Sequence, residues 1–99
     1  MSNLIMKIVE CEWKEQFVRK LWQKHQVSQD EVEEVFDNSP RFDLVAKGHV
    51  KGENFYRALG QSDGGRYLAV FFVHKGAGRA LVVSARDMDG KERKRYGKK

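Results

Sequence analysis

Apolar residues in the first third of the chain recur with the period of an α-helix. The stripe predicts a helix from Lys14 to His25 with one face turned toward a core. Its members are Trp13, Phe17, Val18, Leu21 and Trp22. Because both tryptophans belong to this stripe, we expect them to be buried in the helix face rather than to serve as exposed platforms for base stacking.

A second helix is predicted directly after the first. The segment Ser28–Glu31 has the pattern of a capping box, and Val27 and Val32 occupy the positions of a hydrophobic staple around it. This helix should run to about Asp37, where Asn38-Ser39-Pro40 ends it. The apolar residues that it should bury are Val32, Val35 and Phe36.

Runs of β-branched and aromatic residues predict strands in the rest of the chain. One short run, Leu4–Val9, precedes the helices. The others follow the second helix and are separated by short turns, most of which contain glycine, as is typical of an antiparallel meander. They cover residues 41–47, 55–59, 67–73 and 79–85. Phe71 and Phe72 belong to the most apolar run, so we expect both in the core.

The order of these elements predicts the fold class. A final helix should begin at about Asp89, which has Glu92 three residues later at capping-box spacing. We therefore expect an α+β fold: a strand, two helices packed on one sheet face, three or four antiparallel strands and a short C-terminal helix. The 99 residues are expected to form one domain covering positions 1–99.

Composition argues against several classes of protein. The single cysteine, Cys11, cannot form an internal disulfide, and no Cys/His pair has zinc-ligand spacing. We therefore expect a reducing cytoplasmic setting, no metal and no cofactor. The longest apolar run, Ala69–Val73, is far shorter than the roughly 20 residues that cross a bilayer, so no membrane role is expected.

The net charge of +5 is unevenly distributed. Residues 28–38 contain acidic residues and no basic one, whereas residues 86–99 are strongly basic. Oriented charge of this kind can steer a phosphate-rich partner to one side of the molecule. The alternative is an ordinary solvated terminal helix or tail.

The sequence lacks the motifs of the common hydrolases: a Gly-x-Ser-x-Gly elbow, a Walker phosphate loop and a His-Glu-x-x-His zinc motif. The available Arg, Lys, His, Glu and Tyr side chains suit RNA cleavage by transesterification. In that reaction the substrate supplies its own 2′-hydroxyl nucleophile, and the protein assists proton transfer and stabilises charge on phosphorus.

Two candidates for this chemistry stand at the ends of predicted elements. Arg86 follows the last predicted strand, where it could hold a phosphate bidentately; the alternative is a salt bridge to a carboxylate of the early helices. His25 ends the first helix after Lys24 and could transfer protons or bind phosphate. Its alternative role is an interaction with the last carbonyls of that helix.

Further candidates lie on the predicted strands and the final helix. Arg57 and Arg66 alternate with apolar neighbours and are expected to project onto one exposed sheet face; the alternative is that both are solvated strand residues. Glu92 and Tyr96 are one helical turn apart. Either could assist proton transfer, or Glu92 could cap the helix while Tyr96 covers the core.

Seven short motifs, in order along nearly the whole chain, resemble the BrnT family. They are Glu12-Trp13, Lys24-His25-x-Val27, Glu34–Asp37, Tyr56–Gly60, Gly65–Leu68, Ser84–Arg86 and Glu92–Tyr96. The chain departs from the family pattern at Gln26, where glycine is usual, at Leu21, where asparagine is frequent, and at His74 near the end of the central strand.

The resemblance implies a RelE-like fold and an endoribonuclease toxin of a type II toxin-antitoxin system that inhibits translation. It also implies a BrnA-like antitoxin. The toxin would contact DNA only indirectly, as part of the complex with that antitoxin. The residues that it carries over by position are Lys24, His25, Arg57, Arg66, Arg86, Glu92 and Tyr96. Together with the chemistry above, this leads us to expect His25, Arg86, Glu92 and Tyr96 to be catalytic. Lys24, Arg57, Arg66 and Arg93 would bind substrate. The alternative function is a non-catalytic basic module that binds nucleic acid or docks an antitoxin.

Overall fold

The computed structural model describes residues 6–48 and 53–97. Its elements along the chain are β1 (Glu10–Glu12), α1 (Glu15–His25), α2 (Gln29–Asp37), β2 (Arg41–Ala46), β3 (Phe55–Gln61), β4 (Tyr67–His74), β5 (Arg79–Asp87) and α3 (Gly90–Gly97). The strands form one five-stranded sheet in the order β1-β5-β4-β3-β2. Strands β2 to β5 are an antiparallel meander, and β1 pairs with β5 in parallel. The predicted α+β class and the order of elements are confirmed.

The first strand differs from its prediction. It begins at Glu10, and residues 6–9 form no strand, while Leu4 and Ile5 of the predicted run lie outside the described residues. The reason lies in the partner strand, because β5 starts only at Arg79, which is the residue paired with Glu10. Ahead of that point the backbone N–H of Val9 donates to the carbonyl of Gly78, in the turn that precedes β5.

Both predicted helices are present, and α2 begins with the predicted capping box. The Ser28 hydroxyl accepts from the Glu31 backbone N–H at 3.1 Å, and the Ser28 backbone N–H donates to the Glu31 carboxylate at 3.0 Å. Helix α1 ends at His25, as predicted, and is followed by the C-cap residue Gln26, whose φ of 51° and ψ of 42° lie in the left-handed region. That conformation turns the chain sharply from α1 into α2.

The two faces of the sheet are covered by different helices. On one, which we call the helix face, α1 and α2 cover the main core. Its buried residues include Leu21, Val32, Val35, Phe36, Phe42, Ala58, Val70, Phe72, Val82 and Ala85. On the other, which we call the α3 face, helix α3 packs over a smaller cluster formed by Leu59, Ala69, Met88 and Tyr96.

The burial predicted for the α1 stripe is wrong at one tryptophan. Leu21 is 2% exposed, whereas Trp22 is 58% exposed. Consecutive residues of a helix point about 100° apart, so the short contact of α1 with the sheet buries one and leaves the other in solvent. Trp13 is partly buried against the core and donates from Nε1 to the Glu33 carboxylate at 3.2 Å.

A bulge in β5 decides which residues reach the α3 face. Phe72 of β4 pairs with Val82, but Phe71 pairs with Ser84, so Val83 is an extra residue in the ladder. Before the bulge, Val82 faces the helices; after it, Ser84 and Arg86 share the α3 face with Phe71. If Val83 were a regular position of the ladder, strict alternation would have placed Val82 and Arg86 on the same face.

Candidate active site

Three side chains meet on the α3 face where β3, β5 and α3 converge. Arg86 donates to the Glu92 carboxylate bidentately, from Nη1 to Oε1 at 2.6 Å and from Nη2 to Oε2 at 2.9 Å. Arg57 donates from Nη1 to the same Oε2 at 3.3 Å. Glu92 is only 4% exposed, so both guanidinium groups are held by a buried carboxylate.

The same cluster continues to the edge strand β2. Asp43 lies opposite Arg57 in the β2–β3 register and accepts from Arg57 Nη2 at 2.9 Å. Arg95 of α3 donates to both oxygens of Asp43, from Nε to the same Oδ2 at 2.9 Å and from Nη2 to Oδ1. We call Asp43, Arg57, Arg86, Glu92 and Arg95 the arginine–carboxylate network. Its three guanidinium groups exceed its two carboxylates, so the network keeps a net positive charge.

The local fold of α3 fixes the central carboxylate. Asp89 and Glu92 form a reciprocal capping box: the Glu92 N–H donates to Asp89 Oδ1 at 2.8 Å, and the Asp89 N–H donates to Glu92 Oε1 at 2.9 Å. The predicted cap at Asp89 is thus present. The bond that starts the helix therefore also orients the Glu92 carboxylate toward Arg86.

Electrostatics keep both carboxylates ionised. Burial alone would raise the pKa of Glu92, but hydrogen bonds from Arg86 and from the Asp89 backbone lower it below its ordinary value. Burial likewise acts to raise the pKa of Asp43, and hydrogen bonds from Arg95 and Arg57 outweigh it. At neutral pH these groups accept hydrogen bonds from guanidinium donors and carry no proton to give.

Arg86 therefore has a different partner from the one proposed as the alternative to function. Its carboxylate comes from the final helix, not from the early helices. About a third of the Arg86 side chain remains exposed, at 34%. The guanidinium is thus oriented by Glu92 and still accessible to an anion in solvent.

Aromatic residues border the network. The Arg86 guanidinium lies over the Phe71 ring, with the guanidinium carbon 5.2 Å from the ring centroid. Phe55 stacks against Phe71 at 6.2 Å between centroids. Phe72 is fully buried on the helix face, as expected, whereas Phe71 is only partly buried. The expectation that both belong to the core is therefore correct for Phe72 and wrong for Phe71. Consecutive strand residues point to opposite faces, which is the physical reason.

Arg66 is not where the sequence suggested. It precedes β4, and its guanidinium lies on the helix side, so the expectation that Arg57 and Arg66 share one exposed face is wrong. Nη1 donates to the carbonyl of Gln26 at 2.8 Å, and Nη2 donates to the carbonyl of His25 at 2.9 Å. It also pairs with the carboxylates of Glu31 and Asp87. Arg66 thus holds the end of α1 in place.

His25 and Lys24 reach the sheet at the β5 bulge. They line a shallow pocket between α1 and β5 together with Lys20, Leu21, Val83 and Ser84. His25 is partly buried and Lys24 is exposed. Because Ser84 lies on the α3 face two residues before Arg86, this pocket opens beside the strand that carries Arg86.

Tyr96 and Arg93 occupy the far end of α3. The Tyr96 ring is 8% exposed in the small core and packs edge-on against Tyr67 at 6.0 Å. Its hydroxyl donates to Gln61 Oε1 at 3.4 Å. The Arg93 guanidinium lies over the Tyr67 ring at 3.9 Å and is exposed.

Sequence reasoning missed Asp43, Arg95 and the Phe55–Phe71 pair. Asp43 alternates with Phe42 and Leu44 in β2, which was a signal that it faces away from the helices. The adjacency of Phe71 and Phe72 was a similar signal. Among residues 6–48 and 53–97, no group of His, Cys, Asp and Glu could hold a metal ion. Within the same residues, no helix is long and apolar enough to cross a membrane.

Comparison with known proteins identifies the family. A family model described as the ribonuclease toxin BrnT of type II toxin-antitoxin systems matches residues 13–92. The crystal structure of the Brucella abortus ribonuclease toxin BrnT has a similar fold, with a TM-score of 0.54 and 23% identity over 86% of this chain and 99% of that chain. No curated protein that was compared matches the chain. At that identity the structure shows the fold, and the family model shows membership: this chain belongs to the BrnT family of ribonuclease toxins of type II toxin-antitoxin systems.

Proposed function

We propose that this BrnT-family toxin cleaves RNA at the α3 face, with the arginine–carboxylate network binding the scissile phosphate. The observation that carries the proposal is the bidentate Arg86–Glu92 pair, in which a buried carboxylate orients an accessible guanidinium. Arg57 lies beside it on the same carboxylate. Two adjacent guanidinium groups are well suited to the extra negative charge of a pentacovalent phosphorus.

The proposed reaction is an internal transesterification. The 2′-oxygen of the RNA attacks the neighbouring phosphorus, the bond from phosphorus to the 5′-oxygen breaks, and a 2′,3′-cyclic phosphate forms. The proton of the 2′-hydroxyl passes to a base, and the leaving 5′-oxygen receives one from an acid. The protein supplies charge stabilisation and proton transfer, because the nucleophile belongs to the substrate.

The geometry supports different roles for the candidate residues. Arg86 and Arg57 bind phosphate, and Glu92 acts as a positioning residue because its oxygens already accept from both. His25, with Lys24 beside it, is the candidate for proton transfer from the pocket next to β5. The burial of Tyr96 and the intramolecular partners of Arg66 favour structural roles for those two. Arg93 contributes positive charge at the rim.

The test compares Arg86→Ala and Arg86→Lys with the wild type on single-stranded RNA, with and without EDTA. We expect the alanine variant to lose cleavage about 100-fold or more and the lysine variant to recover little, since a point charge cannot replace a bidentate fork. Arg79→Ala is the matched control, because Arg79 lies at the other end of β5 and pairs with Glu12. If Arg86→Ala cleaves RNA as fast as the wild type, Arg86 does not bind the scissile phosphate and the assignment is overturned.

We also propose the biological setting. Membership in a toxin-antitoxin family supports an antitoxin partner and an RNA substrate. The finer proposals are that the partner is BrnA-like, that the complex and not the toxin contacts DNA, and that the toxin inhibits translation in the cytoplasm. Growth arrest on expression, relieved by co-expression of the product of the adjacent gene, is the expected result. RNA binding with no cleavage and no arrest would favour the non-catalytic module instead.

A further inference from the structure

The α3 face carries a pair of aromatic rings next to the guanidinium groups. Phe55 and Phe71 stack with their centroids 6.2 Å apart and their planes 26° apart. Both rings are partly exposed, and neither belongs to the main core under α1 and α2. Phe71 packs against the small cluster under α3, which anchors the pair, and each ring keeps part of its surface in solvent.

Cations flank this pair. Arg57 lies directly opposite Phe71 in the β3–β4 register, and the Arg86 guanidinium is 5.2 Å from the Phe71 centroid. A partly exposed aromatic surface bordered by cations is complementary to a chain that alternates flat bases with phosphates. Single-stranded nucleic acid has this composition, and its bases stack on aromatic side chains beside a basic groove.

We propose that Phe55 and Phe71 form a stacking subsite for one unpaired RNA base, adjacent to the phosphate held by Arg57 and Arg86. The inference rests on the proposed function, because it assumes that the network binds RNA phosphate. Its consequence is a preference for single-stranded RNA, since a base paired in a duplex cannot lie flat on the ring.

A purely structural role for Phe71 predicts a different response to substitution. If the ring only covers Leu59 and Ala69, leucine would replace it with modest loss, because apolar area is kept. A stacking role requires the flat ring itself. Phe71→Leu and Phe71→Tyr therefore separate the two roles, since the first removes the aromatic face and the second retains it.

The experiment uses a single-stranded RNA oligonucleotide that carries 2-aminopurine and is 2′-O-methylated throughout, so that it binds without being cleaved. We expect the wild type and Phe71→Tyr to quench its fluorescence by stacking. Phe71→Leu should lose the quenching and weaken binding about 5- to 100-fold. The same oligonucleotide in a duplex should bind without quenching. Trp22→Leu is the matched control, because Trp22 is an exposed aromatic residue on α1.

Several outcomes would overturn the subsite. These are quenching that persists in Phe71→Leu, equal loss in Trp22→Leu, or quenching by the duplex. If Phe71→Leu fails to fold by circular dichroism, Phe55→Leu takes its place with the same expectation. The two proposals also fail separately. Quenching without cleavage of natural RNA keeps the subsite and removes the proposed reaction, whereas cleavage that is undiminished in a folded Phe71→Leu keeps the reaction and removes the subsite.

Discussion

The Arg86 guanidinium and the Glu92 carboxylate face each other across two parallel hydrogen bonds, of 2.6 and 2.9 Å. Arg86 comes from the end of β5 and Glu92 from the first turn of α3, six positions later. The sharp connection between the two elements thus folds the strand-end arginine onto a carboxylate that its own helix cap orients. An anion that approaches Arg86 therefore encounters a guanidinium group whose orientation is already fixed by Glu92.

Replacing Glu92 by glutamine tests this relationship. The substitution keeps the shape of the side chain but removes the charge that orients Arg86 and Arg57. We expect kcat on RNA to fall by about 10- to 100-fold, because misplacement of a catalytic group costs that much. KM should fall or stay unchanged, since the face becomes more positive and binds RNA phosphates more tightly.

The control for that variant is Glu15→Gln, which makes the same change of charge at an exposed position of α1. It should change neither parameter beyond the effect of a distant surface charge. Steady-state cleavage of a fluorescent RNA measures both parameters. An unchanged kcat in a folded Glu92→Gln protein would contradict a positioning role for Glu92.

The buried carboxylates should make the free energy of unfolding depend on pH. The pKa of Glu92 is lowered from 4.5 and that of Asp43 from 3.8, so both groups stabilise the folded state when ionised. Their contribution is complete above these ordinary values and is lost as the pH falls from them through the lower pKa values of the folded protein. Urea unfolding from pH 7 to pH 3 should show stability falling most steeply below about pH 4.5.

The Glu92→Gln variant should lose stability at pH 7 and show a shallower decline in acid than the wild type. The amide that this substitution introduces cannot be titrated, so only Asp43 and the remaining carboxylates contribute to the slope. Parallel curves for the two proteins would show that Glu92 has no lowered pKa in the folded state.

The left-handed residue at the end of α1 predicts a stabilising substitution. Gln26 has φ of 51°, which glycine adopts without the steric cost that a β-carbon brings. Gln26→Gly should therefore raise the free energy of unfolding by about 0.5–1 kcal/mol, after the extra freedom of glycine in the unfolded chain is counted. Urea titration measures the change. The Gln26 side chain donates from Nε2 to the carbonyls of Trp22 and Gln23, each at 3.3 Å, and a loss of stability would mean that these hydrogen bonds outweigh the strain.

A close approach between β3 and α2 predicts that a substitution at Gly60 is destabilising. A β-carbon on Gly60 would lie 2.9 Å from Val35 Cγ1 and 3.1 Å from Pro40 Cβ, which requires the core to shift. We expect Gly60→Ala to cost about 1–3 kcal/mol, as overpacking does. Gly64→Ala is the control, because its β-carbon meets nothing nearer than Ser62 Oγ at 3.9 Å. Equal thermal shifts in the two variants would contradict the close contact.

What the sequence predicted well depends on local interactions. The stripe of α1, the Ser28 cap of α2 and the four meander strands are each defined by residues a few positions apart, and all are present. What it missed depends on pairing between distant strands. The late start of β1 at Glu10 and the helix-side position of Arg66 follow from the sheet register, which no single segment encodes. The outward ring of Phe71 is different, because alternation along β4 alone indicates it.

The site itself was predicted in part for the same reason. Arg86, Arg57 and Glu92 were singled out separately by residue type and position, and the structure brings them together. Asp43 and Arg95 were not, because alternation in β2 indicates only which way Asp43 faces, and Arg95 is one more arginine in a basic helix. Their role becomes visible only where β2 and α3 meet.

Because Val83 is an extra residue in β5, the sheet face on which Arg86 lies depends on whether Val83 stays outside the regular ladder. Deleting Val83 would remove the bulge and leave Ser84 and Arg86 on the α3 face, because the pairs Phe72–Val82 and Phe71–Ser84 would then follow each other in a regular ladder. Pairing Val83 with Phe71 instead would reverse the phase of every later position, so that Arg86 would enter the apolar layer under α1 and Ala85 would emerge in its place. Exchanging Val83 for another β-branched residue would leave that phase intact. The bulge at Val83, more than the identity of the residues between Val82 and Arg86, thus decides on which side of the molecule this arginine is found.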